Sequence, residues 1–172
     1  MYSKANRGAV IKAEVLVVGI DVAKRRHVAT IRLGDGTKKK AFSFSNDRRG
    51  FEKLLARAES VRSSSGLRAI VFAVESSGHY GHALMHFLTW GGYSVVGINP
   101  AHTKKVKELE DNSPEKNDSK DSRIISDLAA HGRGREVMIP RGGTWSSRGA
   151  GHPTPPSQIR TCGFSASGSS GG

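Results

Sequence analysis

The sequence predicts an α/β domain built on a mixed β-sheet with helices on both faces. Short apolar runs rich in β-branched residues recur between residues 15 and 98, as expected of strands buried in a sheet. The first three runs follow one another with only turns between them, which predicts a meander. Strands and amphipathic helices alternate after that, which is typical of parallel strands joined by helices. The predicted order is therefore βββαβαβα.

The strand predictions depend on apolar content and on alternation. The first strand reads VLVVGI and is apolar throughout, whereas the third, KAFSFS, alternates strictly between apolar and polar residues. Gly34-Asp35-Gly36 lies between the second and third strands and predicts a tight hairpin. The predicted strands are residues 15–20, 27–33, 40–45, 68–74 and 93–98.

The helix predictions depend on apolar residues at helical spacing and on end signals. Asn46-Asp47 provides capping side chains before the first helix, and Gly91-Gly92 ends the second. The third helix is strongly basic, and the fourth carries apolar residues on one face. The predicted helices are residues 49–62, 79–90, 101–110 and 118–131.

Composition divides the chain into three predicted segments. Residues 1–13 are a flexible N-terminus, residues 14–140 form the α/β domain, and residues 141–172 are a disordered tail rich in Gly, Ser and Pro. Cys162 is the single cysteine, which excludes a disulfide within one chain and a cysteine-based zinc site. We predict no signal peptide and no membrane span, and we expect a cytoplasmic protein.

The charge balance indicates a polyanionic partner. Twenty-seven Lys and Arg residues face 15 Asp and Glu residues, for a net charge of +12. Such a surplus favours nucleic acid, although a basic cluster can also be a merely solvated face. Two clusters are candidates for phosphate contact. They consist of Lys24, Arg25 and Arg26 after the first strand, and of Lys104, Lys105 and Lys107 on the third helix.

Four carboxylates stand out against this basic background. Asp21 follows the first strand and Glu75 follows the fourth, and sites assemble where the strands of such sheets end. Asp118 and Asp121 are three residues apart, so they share a helix face. One helix packed across the sheet could bring all four together. Each acid alone has a simpler explanation as a cap or turn residue.

Converging carboxylates need a counter-charge, because their mutual repulsion raises their pKa values. Mg²⁺ prefers hard oxygen ligands, and two such ions ~3.5–4 Å apart stabilise the attacking and leaving oxygens of a phosphodiester. The histidines give weaker signals. His79 and Tyr80 could contact DNA or orient Glu75, and they are equally explained as residues that cap and pack the helix. His82 and His86 are interpreted as solvent-side residues, since two histidines do not complete a zinc site.

Five segments occur in the order found in a known family. Together they resemble the N-terminal domain of the DEDD transposases of bacterial insertion sequences, the insertion-sequence 110 class. The resemblance covers about residues 14–140 and implies an RNase H-like, RuvC-type fold. The segments are GIDVAKRRHVA (19–29), FSNDRRGFEKLL (44–55), VESSGHYGHALMHFL (74–88), GYSVVGINPAHTKKVKE (92–108) and KNDSKDSRIISDLAAHG (116–132).

The resemblance also implies a site and an activity. The family's acids correspond to four positions: Asp21 to anchor the first metal, Glu75 to bridge or orient it, and Asp118 and Asp121 to complete the site. The implied function is a transposase that cleaves and transfers DNA strands in DNA transposition. The implied cofactor is Mg²⁺, as two ions, with Mn²⁺ as an alternative. Implied partners are DNA, at the element ends and the target, and a structured guide RNA, with a homo-oligomer at full length.

The sequence departs from the family pattern in two ways. Ser122 stands where the family more often has Ala. Family members also carry a second, helical domain with a serine proposed as nucleophile, and the tail here predicts instead a truncated or frameshifted copy. Ser146 and Ser147 fall within that tail and are not nominated as nucleophiles.

Rival functions stay open at this point. One is a stand-alone RuvC-like Holliday-junction resolvase or nuclease on the same fold. Another is a non-catalytic basic protein that makes only phosphate contacts with nucleic acid. A sugar kinase or actin-like ATPase also opens with GID after a strand, but it needs a further phosphate-binding turn, and only LGDG at 33–36 is present.

Overall fold

The computed structural model describes residues 13–75, 78–110 and 118–136, except for the side chains of Glu110, Asp118, Ser119 and Glu136. The strands in this part of the chain are β1 (Val15–Asp21), β2 (Arg26–Arg32), β3 (Phe42–Ser45), β4 (Ala69–Glu75), β5 (Ser94–Ile98) and β6 (Gly134–Glu136). The helices are α1 (Arg48–Ser64), α2 (His82–Trp90), α3 (Pro100–Glu110) and α4 (Asp118–Ala130).

The strands form one mixed sheet in the order β3-β2-β1-β4-β5-β6. The first three strands pair antiparallel as a meander, and β1, β4 and β5 run parallel to one another. The predicted α/β class is therefore confirmed, and the predicted order βββαβαβα is found from β1 to α3, with α4 and β6 after it. The short strand β6, antiparallel to β5, was not predicted. Its residues, Gly-Arg-Glu, contain no apolar side chain from which a strand could be inferred.

The predicted turn between β2 and β3 is present, but β3 begins later than its sequence pattern indicated. The amide of Leu33 donates to Thr37 across the turn, and Gly36 adopts φ 92°, which favours glycine. Arg32 pairs with Lys38, whereas further along the hairpin Ala29 pairs with Phe42. The two paired positions are three residues apart on β2 but four residues apart on the returning strand. The returning strand therefore contains one extra residue, as in a β-bulge.

The helix ends show how local chemistry places the boundaries. Asp47, rather than Asn46, caps α1, and its Oδ1 accepts a hydrogen bond from the amide of Gly50 at 2.8 Å. These contacts, together with the Ser45 hydroxyl, lower the pKa of Asp47. The helix α2 begins at His82, three residues later than predicted, because residues 79–81 form a turn instead.

The two faces of the sheet are covered by different helices. The α1/α2 face, formed by the side chains that pack under α1 and α2, includes Phe72, Leu54 and Leu84, which are fully buried. The α4 face, which packs under α4, has a smaller core. Its buried apolar residues are Val17, Ala73, Ile98, Ile125, Ala129 and Ala130.

Helix α4 approaches β1 very closely at Gly19. A Cβ atom at Gly19 would lie 2.3 Å from the carbonyl oxygen of Ser122 and 2.5 Å from the amide of Ser126. Such distances are well inside van der Waals contact, so only glycine permits this approach. The hydroxyls of Thr30 and Ser122 lie 2.7 Å apart and join the same helix to β2.

The contacts of α4 also fix its direction. Ser122 lies against Gly19 and Thr30, whereas Asp127, later in the helix, forms salt bridges with Arg32 and Lys38. Arg32 is paired with Val17, near the start of β1. Helix α4 therefore runs opposite to β1, and its N-terminus lies at the carboxyl end of that strand.

Two of the predicted segments lie wholly or largely outside the described residues. The flexible N-terminus falls there except for its last residue, and so does the disordered tail at 141–172. Both stay predictions. Within the described residues, no helix has the length and apolar character needed to cross a membrane.

Candidate active site

Asp21 and Glu75 are brought together by the register of two parallel strands. The pairing of β1 with β4 sets Ile20 beside Val74, so the next residue of each strand is one of the two acids. Side chains alternate along a strand, which places both acids on the α4 face with Val17 and Ala73. Neighbouring strands are about 4.8 Å apart. Both side chains are half-buried. The register of the two strands therefore places these two acids side by side at the carboxyl end of the sheet.

The N-terminal turn of α4 lies at the same end of the sheet. Asp118 is its first residue, and Asp121 precedes Ser122, the residue that touches β1 and β2. Asp121 is half-buried and accepts a hydrogen bond from Lys107 Nζ at 2.6 Å. The helix N-terminus also carries a partial positive charge, which stabilises a carboxylate there. Asp121 is therefore balanced by an ammonium group from α3.

The sequence predicted that these carboxylates hold a metal ion. No three groups among the Asp, Glu, His and Cys side chains of the described residues converge closely enough to hold a metal ion. The side chain of Asp118 lies outside that description. The described residues do include a pair of carboxylates on adjacent strands, Asp21 and Glu75. Asp121 lies in the first turn of α4, at the same end of the sheet. Hard oxygen donors of this kind suit Mg²⁺.

Asn46 connects the segments that follow both strand-end acids. Its backbone N–H donates to the carbonyl of Arg25 at 3.0 Å, and its side-chain Nδ2 donates to the carbonyl of Lys24 at 3.2 Å. The same Nδ2 lies 3.3 Å from the carbonyl of Tyr80, in the segment after Glu75. Sequence reasoning treated Asn46 only as a helix cap. Its adjacency to Asp47 concealed a different role, because Asp47 alone is sufficient to cap α1.

His27 supports the same turn from within the core. It is fully buried against the rings of Phe44 and Phe51, and its Nδ1 accepts a hydrogen bond from the amide of Ala23 at 3.1 Å. The neutral ring must therefore carry its proton on Nε2. Burial lowers the pKa of His27 from 6.5, and the nearby side chain of Asn46 partly offsets that effect. His27 is thus held in its neutral form.

The two basic clusters occupy different positions. Lys24, Arg25 and Arg26 are exposed on the turn directly after Asp21, and Arg26 donates to the hydroxyl of Ser43 at 2.8 Å. The predicted cluster on α3 is divided by its contacts.

Of the three α3 lysines, Lys107 pairs with Asp121 and Lys104 lies 4.0 Å from Glu108, whereas Lys105 is exposed. The cluster nearest the strand-end carboxylates is therefore the one at residues 24–26.

The histidines near the second acid are exposed. The rings of His79 and Tyr80 lie 4.5 Å apart on the surface after Glu75. His82 and His86 lie on the solvent side of α2, as the sequence interpretation expected.

Two of the solved structures that match this chain are structures of RuvC. A structure of RuvC from T. thermophilus in complex with a Holliday junction substrate is 13% identical; the match covers 72% of this chain and 99% of that chain, with a TM-score of 0.46. A second Thermus thermophilus RuvC structure is 15% identical; the match covers 71% of this chain and 99% of that chain, with a TM-score of 0.43. No curated protein matches the chain.

A family model provides the identification. The model of the DEDD transposases of the insertion-sequence 110 class, described as Transposase, matches residues 18–142. This range contains all the described strands from β2 to β6 and the last four residues of β1. The predicted family is thereby confirmed. This chain belongs to the DEDD transposase family of the insertion-sequence 110 class.

Proposed function

We propose that this chain acts in DNA transposition as a metal-dependent enzyme that cleaves and transfers DNA strands. The observation that carries the proposal is the parallel register of β1 and β4, which ends both strands on acids that face α4. Two neighbouring carboxylates repel one another, and a bound cation would offset that repulsion.

Asp21 and Glu75 would hold the metal, with Asp118 and Asp121 completing the set from α4. When bound, Mg²⁺ supplies a Lewis acid that activates the attacking oxygen and stabilises the leaving oxygen of a phosphodiester. The donor set fits this ion because all four side chains offer carboxylate oxygens. Two ions, with Mn²⁺ as a substitute, are part of the proposal.

The other residues near the carboxylates have supporting roles in this proposal. Lys107 keeps the charge of Asp121 balanced and holds it toward α3. Asn46 and His27 hold the turn after Asp21 in place through the carbonyl of Lys24 and the amide of Ala23. A fixed turn keeps the acid oriented, which matters because small displacements of reacting groups slow a reaction strongly.

DNA is the proposed substrate, at the element ends and at the target. The exposed cations on the turn after Asp21 would contact phosphates beside the site. A structured guide RNA and a homo-oligomer are proposed as partners by analogy with the family. The proposed phosphate contacts are Lys24, Arg25, Arg26, Lys104, Lys105 and Lys107, of which Lys107 would have to leave Asp121.

The test compares Asp21→Asn with Asp35→Asn. Both changes remove one carboxylate charge with little change in size. Asp35 lies in the β2–β3 turn, where its Oδ1 accepts from the amide of Thr37, far from the carboxyl ends of β1 and β4. The assay incubates the full chain with labelled element-end DNA and Mg²⁺, with and without the element's own non-coding RNA. We expect Asp21→Asn to lose cleavage at least 100-fold while Asp35→Asn stays active.

Binding separates a catalytic role from a binding role. Asp21→Asn should bind the same DNA as tightly as the unchanged chain, or more tightly, because a negative charge has been removed near phosphate. Equal cleavage by Asp21→Asn and the unchanged chain would refute the metal mechanism. Cleavage of branched junctions in preference to linear element ends would favour a resolvase instead.

A further inference from the structure

An open cleft lies beside the edge strand β3. It has a volume of about 310 Å³, and the residues that line it are Arg26, Ser43, Phe44, Ser45, Arg49, Gly50 and Lys53. Arg49 and Lys53 are four residues apart on α1, so they lie on the same face of that helix. The cleft therefore has cationic groups from both β2 and α1 around two hydroxyl groups.

The charges of this cleft are largely unused within the described residues. Among those residues, no salt bridge involves Arg26, Arg49 or Lys53, and Arg26 spends one guanidinium hydrogen bond on Ser43. The neighbouring acid is Asp47, whose carboxylate accepts from the Ser45 hydroxyl and the amide of Gly50 and attracts Arg49 electrostatically. Three cations against one acid leave a surplus of two positive charges.

The cleft opens at the same end of the sheet as the candidate active site. Arg26 begins β2 and pairs with Ser45, the last residue of β3, whereas Asp21 pairs with Val28 two residues further along β2. Two strand spacings separate β3 from β1, which is about 10 Å. Since successive nucleotides of one strand rise about 3.4 Å, this corresponds to about three nucleotides.

We propose that this cleft binds the phosphodiester backbone of the DNA strand at a position about three nucleotides from the carboxylates. Guanidinium groups donate hydrogen bonds to phosphate oxygens, and so can the Ser43 hydroxyl, which acts as the acceptor in its hydrogen bond with Arg26. The inference rests on the proposed function, because the strand held so near the carboxylates is the one to be cut. That strand is DNA, and the cleft positions it.

The test measures DNA binding without cleavage. The full chain is titrated against a fluorescently labelled element-end duplex in EDTA at several salt concentrations. The cleft variant is R49Q/K53Q. The matched control is R48Q/R57Q, which removes the same charge from the same helix. Arg48 pairs with Glu52, and Arg57 lies 4.1 Å over the ring of Phe42, so neither lines the cleft.

The expected result is a selective loss. The cleft variant should bind about tenfold more weakly, and the slope of log K against log salt should fall by nearly two, since each phosphate contact contributes about 0.9. The control should lose less than about threefold, from the general field alone. Circular dichroism and thermal unfolding must show that both variants fold. Equal losses, or no loss in the cleft variant, would overturn the proposal.

Neutral phosphates locate the contact. Methylphosphonate linkages placed one at a time along the labelled strand should weaken binding by the unchanged chain at one or two positions, and those positions should have no effect in the cleft variant. If every position weakens both proteins equally, the cleft has no preferred phosphate and the proposal fails. An RNA duplex of the same sequence that loses more affinity than DNA in the cleft variant would overturn the assignment to DNA.

The two proposals fail in different ways. Selective loss of binding in R49Q/K53Q, without any Mg²⁺-dependent cleavage by the unchanged chain, would retain the cleft as a DNA site and reject the proposed enzyme. Cleavage that depends on Asp21, together with unchanged binding in the cleft variant, would retain the enzyme and reject the cleft.

Discussion

The two faces of the sheet differ in the size and polarity of the side chains that pack on them. The α1/α2 face is filled by large side chains such as Phe72, Leu54 and Leu84, all fully buried. The α4 face uses Ala73 and Gly19, and it places polar contacts between helix and sheet. Small residues let α4 lie close to β1, so its N-terminus reaches the strand-end acids. The α1/α2 face thus provides most of the buried apolar surface, whereas the α4 face positions the N-terminus of α4 beside the strand-end acids.

The largest expected effect comes from the α1/α2 face. Phe72 is fully buried, and its ring meets that of Tyr93 at 5.4 Å. Replacing Phe72 with Ala should lower the free energy of unfolding by about 3–5 kcal/mol. Val17→Ala on the α4 face removes fewer atoms and should cost about 2 kcal/mol. Urea unfolding of both variants makes the comparison, and an equal or greater loss for Val17→Ala would show that the faces contribute alike.

A glycine on each face sharpens the contrast. Gly19→Ala would place its Cβ against the backbone of α4 and should cost about 3 kcal/mol, since backbone cannot move aside cheaply. Gly81→Ala meets only methyl groups of Val22 and Val74, both at 3.3 Å, and should cost less than about 1 kcal/mol.

Function should follow the same division under the proposed activity. The Gly19 variant is expected to lose cleavage even where it stays folded, because α4 is displaced from the acids. Thermal unfolding and the element-end cleavage assay measure the two effects. A stable and fully active Gly19→Ala variant would contradict the close approach.

A smaller effect is expected at the buried hydroxyl pair of Thr30 and Ser122. A double-mutant cycle with Thr30→Val and Ser122→Ala should give a coupling energy of about 1 kcal/mol. The cycle isolates the hydrogen bond from the other contacts of each residue. Additive losses would mean that the hydroxyls contribute to the α4 face separately.

The smallest expected effect is a pH dependence on the α1/α2 face. The pKa of His27 is lowered below 6.5 by burial, so the unfolded chain takes up the proton first as pH falls. The free energy of unfolding should therefore decrease as pH drops below about 6.5, and the decrease should level off below the lowered pKa of the folded state. Urea unfolding between pH 5 and 7 measures it.

Two variants identify the group responsible. His27→Gln should remove this part of the pH dependence, whereas His82→Gln, at an exposed position of α2, should retain it. The same slope in both variants would assign the pH dependence to another group.

Local patterns were sufficient for most elements of the fold. The apolar run before Asp21 and the helical spacing in α1 are strong signals within a few residues, and both elements are found within two residues of their predicted bounds. The helix α2 began later than predicted because a turn at 79–81 competes with helical periodicity. The strand β6 has no apolar signal and forms by pairing with β5.

The site was only partly accessible from sequence. Acids at strand ends could be recognised, but their adjacency depends on the register of β1 with β4, which packing sets. Asn46 could not be found in this way, because its partners Lys24 and Tyr80 are 22 and 34 residues distant. The pairing of Lys107 with Asp121 was likewise hidden, since a lysine in a basic run gives no indication of which acid it meets.

The docking of α4 over Gly19 also sets an order of assembly. Asp21 is made early in synthesis, and Asp121 is added 100 residues later. At about 5–20 residues per second, the ribosome needs about 5–20 s to add that stretch. The meander and β4 can pair during that interval, whereas the acidic centre cannot be completed until α4 emerges. A nascent chain therefore passes through a stage in which basic surfaces are folded and exposed, but the carboxylates proposed to cleave DNA are not yet close together.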